Sequence, residues 1–246
     1  MEQTYYQDYF ENQADHWWFL GRKKIIFSLL ERHVGRDHLR RILDVGCGTG
    51  VALNSLQQYG DTLGLDRSYE ALHLSRQMTR VPVFQAEFGS LPFKEKSFDL
   101  VCAFDILEHL ENDKTCVEEA YRLCKPGGHL MVTVPAFQFL WGIQDEISHH
   151  KRRYRRGEIT RLVQKIGFHP VFASYFNTFL FPPIAFIRGI ARYRKPQTRK
   201  SDLDIQVPKF LNTFLAGLFG SEAYLMKYFK LPVGVSIVCL AQKMRG

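Results

Sequence analysis

The sequence lacks any cysteine pair with the spacing of a zinc or redox motif. None of its five cysteines forms a C-x-x-C pair, and Cys47, Cys102 and Cys239 lie in apolar runs typical of strands. This pattern predicts reduced thiols in the core of a cytosolic protein rather than a disulfide framework. Histidine and cysteine also show no metal-ligand spacing, so the sequence predicts no metal site.

The sequence also lacks a secretory leader and an unbroken apolar run of membrane-spanning length. Residues 1–8 are polar and acidic, which is not typical of a secretory signal. Residues 167–187 carry no Lys, Arg, Asp or Glu, but Asn177, Pro182 and Pro183 interrupt them. Such a run makes a poor transmembrane helix. We therefore predict a cytoplasmic protein and leave open peripheral contact with the inner face of the membrane.

Acidic residues are scarce in the second half of the chain. Residues 1–130 hold 15 Lys and Arg against 19 Asp and Glu, a net charge of −4, whereas residues 131–246 hold 18 against 6, a net charge of +12. The basic half predicts an anionic partner, which could be a phosphorylated substrate, a membrane surface or RNA. No separate RNA-binding module is visible, which weighs against RNA.

A glycine-rich loop follows the first apolar run of the chain. Residues 42–45 predict a buried strand, and Gly46, Gly48 and Gly50 predict a tight loop that leads into a helix from Val51. The dinucleotide fingerprint G-x-G-x-x-G would need glycine at position 51, so this pattern excludes it. Asp44 precedes the loop, where a carboxylate would repel a pyrophosphate but attract an ammonium group. The loop therefore suits a cationic ligand with an amino-acid end.

Three more segments follow at the spacing of a parallel α/β sheet. Residues 62–66 predict a second strand that ends in Asp66, whose carboxylate could bind both hydroxyls of a ribose. The alternative role for Asp66 is to cap the helix that begins at residues 67–68. Residues 82–86 predict a third strand, and residues 100–104 a fourth that leads into Leu-Glu-His at 107–109.

Taken in this order, the segments resemble the class I S-adenosylmethionine-dependent methyltransferases, within a type-11-like group. The resemblance implies S-adenosylmethionine as the cofactor. In the family's pattern an acid meets the adenine amine and the next residue covers the ring; Glu87 and Phe88 match these positions, with glutamate in place of the usual aspartate. The predicted cofactor-binding residues are Asp44, Gly46, Cys47, Gly48, Asp66, Arg67, Glu87, Phe88, Phe104, Trp18 and Arg22.

Residues 129–134 predict a fifth strand, and the long connection after it carries the substrate-side candidates. Five of the six residues from Lys151 to Arg156 are basic, which predicts an anion clamp or, alternatively, a solvated charge cluster. The stretch resembles a Trp-Gly-x-x-Asp-Glu … His-x-Arg-Arg-Tyr motif of type-11-like methyltransferases that often accompany surface-glycan or polyprenyl-linked pathways. We predict His150 as general base, oriented by Asp145, with His109 as the second candidate. The remaining predictions are Tyr154 as catalytic, and Arg153, Arg152 and Trp141 as substrate-binding.

Two further segments, one at the start of the sequence and one before the last strand, each have two interpretations. The aromatic-rich residues 1–35 end in an amphipathic helix that either packs on the sheet edge or forms a lid over the cofactor. Residues 178–232 form an insertion before the last strand, with apolar stripes at 210–218 and 224–229. These stripes predict either a helical cover over the substrate cleft or attachment to an anionic membrane.

Together these patterns predict one α/β domain spanning residues 1–246. The expected architecture is a doubly wound, Rossmann-like sheet of seven strands, the last antiparallel, with an N-terminal helical lid and the helical insertion. The predicted function is methyl transfer from S-adenosylmethionine to an anionic small-molecule or lipid-linked acceptor, at oxygen. The alternatives are an RNA methyltransferase and a non-catalytic, membrane-associated protein that binds the cofactor. The Asn/Asp-Pro-Pro-Tyr motif typical of DNA N-methylation is absent.

Overall fold

A seven-stranded sheet forms the centre of the protein. The computed structural model describes residues 10–36, 38–87, 89, 91–191 and 207–245. The strands lie in the order β3-β2-β1-β4-β5-β7-β6, and only β7 runs antiparallel to its neighbours. They are β1 Arg41–Val45, β2 Asp61–Asp66, β3 Val83–Gln85, β4 Phe98–Phe104, β5 Cys124–Pro135, β6 Phe168–Phe176 and β7 Ser236–Lys243. The predicted doubly wound architecture is confirmed.

The central strands read as continuous apolar runs because helices cover both faces of the sheet. Successive side chains of a strand point to opposite faces. Accordingly, Leu43 and Val101 belong to one hydrophobic core, and Ile42 and Leu100 belong to the other. The chain therefore builds two cores on one sheet, and the carboxyl ends of β1, β2 and β4 share one edge.

Eight α-helices of the described residues flank the sheet. They are α1 Trp17–His33, α2 Leu53–Leu56, α3 Tyr69–Met78, α4 Asp113–Leu123, α5 Ile143–Ile147, α6 Arg156–Ile166, α7 Phe181–Ala191 and α8 Lys209–Leu225. Short 3-10 helices cover Leu107–His109 and Gln138–Leu140. The helix expected from Val51 is a single turn that begins at Leu53, so that prediction was too long.

Helix α1 packs on a face of the sheet and also reaches the cavity, and its role as a lid stays a prediction. Its buried residues Ile25, Leu29 and Leu30 pack into the core on one face of the sheet. Its first turns, with Trp18 and Arg22, reach the cavity described below. The helix is thus a structural element of the fold whose amino-terminal end also forms a cavity wall.

The insertion before β7 contains α7 and α8. Helix α8 packs on α1 through Phe219 and Ala223, which are buried in the same core. The buried Glu222 accepts hydrogen bonds from the backbone N–H groups of Thr178 (2.6 Å) and Phe179 (2.8 Å), which tie α8 to the chain leaving β6.

The first apolar stripe of the insertion does not cover the cleft as expected. Phe210 and Phe214 are 77% and 62% exposed, because α8 turns Phe219 and its neighbours toward α1 instead. Tyr224, Tyr228 and Phe229 of the second stripe are also exposed. Among the described residues, no helix combines the length and the apolar character that crossing a membrane requires.

Candidate active site

A cavity of about 530 Å³ opens at the carboxyl edge of the parallel strands. Its walls come from the first turns of α1, the glycine loop, the ends of β2 and β4, the connection after β5, and α7. This is the edge where open α/β sheets bind ligands. The volume falls in the range of pockets for small molecules and cofactors, which is roughly 300–1,000 Å³.

The glycine loop brings bare backbone to the cavity. Gly46 has φ +72°, and a Cβ built there would lie 1.9 Å from Ile106 Cδ1. Gly48 has φ +54°, and a Cβ there would meet nothing within 4 Å. A side chain at position 46 is therefore excluded by packing, whereas one at position 48 would occupy space that the structure leaves open to a ligand.

Asp66 faces the glycine loop from the end of β2. Its Oδ2 accepts the backbone N–H of Gly48 (2.9 Å) and its Oδ1 accepts that of Ser68 (2.8 Å). The N-cap of α3 is Ser68, whose hydroxyl accepts the N–H of Ala71, so the capping alternative for Asp66 is wrong. Burial raises the pKa of Asp66 despite these hydrogen bonds. Asp66 lines the cavity, and a carboxylate oxygen can accept more than one hydrogen bond.

Asp44 lies beside Asp66 and is 2% exposed. Among the described residues, its Oδ1 has no hydrogen-bond partner. Burial raises the pKa of Asp44 to about 7, with the Arg22 charge opposing the rise and the Asp66 charge adding to it. A buried carboxylate oxygen without a partner is costly, so its place in the cavity wall indicates a ligand with a positive charge or a donor.

Arg22 connects the N-terminal helix to the far side of the cavity. Its guanidinium lies 2.6 Å from Asp105 Oδ2 and donates to Thr133 Oγ1 at 2.7 Å, and Thr133 in turn donates to Asp105 Oδ1 at 3.0 Å. The same guanidinium lies over the rings of Trp18 and Phe104. Arg22 thus positions Asp105, and its predicted contact with a cofactor stays a prediction. The sequence did not reveal that Asp105 and Thr133 contact Arg22, because no motif links these positions.

A second buried group is built around Asp145. Arg153 donates two hydrogen bonds to this carboxylate (2.8 and 3.0 Å), and the backbone N–H of Gly142 donates a third. Nδ1 of His150 lies 2.8 Å from Oδ1. Burial would raise the pKa of Asp145, but the His150 hydrogen bond and the Arg153 charge outweigh it and hold that pKa at about 2. Asp145 therefore orients the ring of His150.

Glu108, His109 and His150 meet opposite the glycine loop. The rings of His109 and His150 lie 4.7 Å apart, edge to face. Glu108 is fully buried, and within the described part of the chain neither carboxylate oxygen has a hydrogen-bond partner. Burial raises the pKa of Glu108 and, with the charge of His150, lowers that of His109 to about 3. Glu108 and His109 are neighbours in the sequence, but only the fold brings His150 to them.

Several predicted site residues lie elsewhere. Tyr154 donates its hydroxyl to Asp113 Oδ2 (2.8 Å), and burial and that acid raise its pKa; it does not line the cavity. Arg152 donates to the carbonyl of Glu111 instead of reaching the cavity. These positions correct the roles expected of Tyr154 and Arg152.

The other predicted residues divide into three groups. Trp141 and the exposed Glu87 do not line the cavity, and Phe88 lies outside the described residues. Arg153 lines the cavity, but its guanidinium is engaged by Asp145 and the Ala136 carbonyl, so it is a poor anion clamp. The predicted residues that line the cavity are Asp44, Gly46, Cys47, Gly48, Asp66, Arg67, Phe104, Trp18, Arg22, His109, His150 and Arg153.

Comparison with known proteins finds similarity to methyltransferases. Residues 43–132 match the family described as "Methyltransferase domain". The chain is 28% identical over 158 residues to a protein of Mycolicibacterium smegmatis named "Probable S-adenosylmethionine-dependent methyltransferase", covering 63% of this chain and 60% of the relative. It is 28% identical over 134 residues to the ubiquinone biosynthesis O-methyltransferase of Escherichia coli, covering 48% of this chain and 56% of that enzyme. The chain spans less than two thirds of the length of these curated relatives.

Solved structures with the same fold include proteins of different activity. The phosphoethanolamine N-methyltransferase 2 of Haemonchus contortus, in complex with S-adenosyl-L-methionine, is 17% identical with a TM-score of 0.58, covering 97% of this chain and 60% of that one. The [4+2]-cyclase SpnF is 20% identical with a TM-score of 0.60, covering 91% and 81%. These likenesses concern the fold, which by itself does not determine the reaction. The family match over residues 43–132 and these curated relatives show that the chain is similar to S-adenosylmethionine-dependent methyltransferases.

Proposed function

We propose that this protein transfers a methyl group from S-adenosylmethionine to a hydroxyl oxygen of a small-molecule or lipid-linked acceptor. The observation that carries the proposal is the arrangement of one cavity. Asp44 and Asp66 line it beside the glycine loop, and the Asp145–His150 pair reaches it from the connection after β5. The cavity thus combines groups suited to the cofactor with a group suited to proton transfer.

The residues of the glycine-loop side fit this cofactor. The unpaired oxygen of Asp44 suits the ammonium group of its methionine end. The open backbone at Gly48 lets the ligand approach closely, and Asp66 retains lone pairs for the two ribose hydroxyls. Phe104 and Trp18 supply apolar rings at the cavity wall.

The chemistry needs positioning and one proton transfer. S-adenosylmethionine supplies an electrophilic methyl group on a sulfonium sulfur. Asp145 holds Nδ1 of His150, which leaves Nε2 as the ring nitrogen available to the acceptor. As the acceptor oxygen forms its new bond, His150 accepts the hydroxyl proton at Nε2, and the ionised Asp145 stabilises the resulting imidazolium.

Apolar groups at the cavity mouth support a lipid-linked acceptor. Ile187 lines the cavity and is 64% exposed, and Ile184 and Val207 line it nearby. Phe186 and Phe210 lie close to them in sequence and are 70% and 77% exposed. The name of the ubiquinone biosynthesis O-methyltransferases, to which this chain is similar, agrees with an attack by oxygen.

Isothermal titration with S-adenosylmethionine tests the cofactor half of the proposal. We expect Asp66→Ala to weaken binding by at least about tenfold, since hydrogen bonds to a charged group contribute roughly 1.5–3 kcal/mol. Asp61→Ala is the matched control, because Asp61 is an exposed acid at the other end of the same strand. Equal affinity in the two variants, or no binding by the wild-type protein, would contradict the proposal.

A further inference from the structure

Glu108, His109 and His150 form a cluster with the donors of a metal site. Each offers one ligand atom, and these atoms all lie within 4.8 Å of one another. Glu108 and His109 belong to the 3-10 turn after β4, and His150 comes from the connection after β5. The backbone N–H of Lys151 donates to the Glu108 carbonyl at 2.7 Å and holds the two segments together.

Within this cluster, the Glu108 carboxylate has no hydrogen-bond partner among the described residues. Its carboxylate is fully buried in the cavity wall, and no described residue donates a hydrogen bond to either oxygen. The nearest guanidinium groups are engaged elsewhere, since Arg22 pairs with Asp105 and Arg153 pairs with Asp145. A buried carboxylate is ordinarily paired or bound to a metal, so Glu108 indicates a cation at this point of the cavity.

His150 carries the outer-shell support that metal-binding histidines need. Its Nδ1 lies 2.8 Å from Asp145 Oδ1, and Asp145 is itself fixed by Arg153. A carboxylate on one ring nitrogen fixes the ring orientation and raises the basicity of the other nitrogen. The Asp145–His150 pair is therefore prepared to present Nε2 to an ion.

We propose that this cluster binds a divalent transition-metal ion of the Zn²⁺ class. Two imidazole nitrogens and one carboxylate oxygen are the ligand set of catalytic zinc sites, which keep a position open for water or substrate. Glu108, His109 and His150 all line the cavity, so the open position faces an acceptor bound there.

The role of the ion rests on the proposed function. On coordination, the O–H bond of the acceptor hydroxyl breaks, its proton passes to water, and a metal–oxygen bond forms. With the ion bound, coordination at His150 Nε2 replaces the proton transfer to that nitrogen described for the metal-free site, while methyl transfer to the acceptor oxygen is unchanged.

Titration of the metal-free, full-length protein with Zn²⁺ tests the inference. We expect one ion per chain, and we expect Glu108→Gln and His150→Gln each to weaken its binding by at least about 100-fold, more than the loss usually seen when an outer-shell partner is removed. His149→Asn is the matched control, because His149 is an exposed neighbour whose φ of +54° asparagine tolerates. Co²⁺ in place of Zn²⁺ should give the visible absorption of a low-symmetry site in the wild type and in His149→Asn only.

Thermal unfolding and cofactor titration separate a lost site from a lost fold. Zn²⁺ should raise the unfolding temperature of the wild type and leave that of Glu108→Gln unchanged, while both bind S-adenosylmethionine equally. Zn²⁺ binding that is equal in the wild type and Glu108→Gln, or S-adenosylmethionine binding without any Zn²⁺ binding, would overturn the metal site and leave the proposed function intact. Zn²⁺ binding at the cluster in a protein that does not bind S-adenosylmethionine would support the site and overturn the proposed function.

Discussion

Two buried aspartates beside one loop show how single residues trade stability for binding. Asp44 and Asp66 are 2% and 8% exposed, and burial raises the pKa of both. The charge of Asp66 raises the pKa of Asp44 further. Asp44 has no described partner for Oδ1. In the cofactor-free protein its charge is a cost, which a cationic ligand would offset.

Replacement of Asp44 should therefore stabilise the cofactor-free protein in a pH-dependent way. Burial raises the pKa of Asp44 from 3.8 to about 7, so between these values the folded protein holds a proton that the unfolded chain has released. Stability consequently falls as the pH rises through this window. We expect Asp44→Asn to increase the free energy of unfolding by up to about 4 kcal/mol above pH 7 and by little near pH 4.

Urea unfolding at pH 5 and pH 8 measures the effect. The gain from Asp44→Asn should be larger at pH 8, whereas Asp61→Asn, at an exposed position, should show no such difference. A gain of the same size at both pH values would mean that Asp44 is not the titrating group.

At the scale of secondary-structure elements, the packing of α1 on α8 depends on a glycine. A Cβ at Gly21 would lie 2.3 Å from Cδ1 of the buried Phe219, so α8 can approach α1 only where the side chain is absent. Phe219 also stacks on Phe176 of β6, with ring centroids 6.0 Å apart, and has little room to move. This contact joins the N-terminal helix, the insertion and the sheet.

Two glycine substitutions in helices should consequently have opposite effects. Gly21→Ala should destabilise the protein by about 1–3 kcal/mol, because overpacking outweighs the gain in helix propensity. Gly217→Ala should stabilise it by about 0.5–1 kcal/mol, since a Cβ at this exposed position of α8 would meet nothing within 4 Å. Denaturant unfolding of the two variants measures both changes. A stabilising Gly21→Ala would contradict this account of the interface.

The positions of the strands could be predicted from the sequence, whereas the buried faces of the helices could not. Residues 42–45, 62–66 and 100–104 are apolar runs bounded by turn signals, and each lies within an observed strand. The stripe at 210–218 looked equally clear, yet helix α8 buries Phe219 and leaves Phe210 exposed. Which face of an apolar helix is covered depends on its partner, and here the partner α1 lies nearly two hundred residues earlier in the chain.

In the candidate active site, too, some residues could be predicted from the sequence and others could not. Asp66 was placed correctly because a strand end and a glycine loop have a fixed relation in this type of sheet. The cluster of Glu108 with His150 could not be predicted, since forty-two positions separate the two residues and only tertiary structure brings them together. Tyr154 was misjudged because its motif does not reveal that Asp113 binds its hydroxyl.

For the whole molecule, we propose from the charge and the exposed aromatic side chains a preference for anionic membrane surfaces. Residues 131–246 carry a net charge of +12. In the same half, Phe186, Phe210 and Phe214 are more than 60% exposed, and Lys209 beside them is exposed too. Further basic residues at 192–200 lie outside the described residues. Apolar side chains and cations act together in peripheral membrane binding.

Flotation with lipid vesicles tests this preference. We expect the wild-type protein to float with anionic vesicles at low salt, and less so as added salt screens the charges. The double variant Phe210→Ser/Phe214→Ser should bind about tenfold more weakly or worse, because two aromatic side chains lose their burial in the interface. Tyr69→Ser/Phe84→Ser is the control, since it removes exposed aromatic residues from α3 and β3. Salt-dependent retention on RNA without flotation would instead favour the RNA alternative.

The contact between Arg22 and Asp105 also bears on the order of events during synthesis. Arg22 leaves the ribosome well before Asp105 and Thr133, and α1 must wait still longer for the α8 surface that covers it. Until then the apolar residues of α1 have no complete partner, although domains of this size begin to fold during translation. Helix α1 thus emerges before the strands that it covers but is anchored only after α8 has formed. A nascent protein halted before residue 209 would have its ligand-binding edge assembled around an incompletely anchored α1.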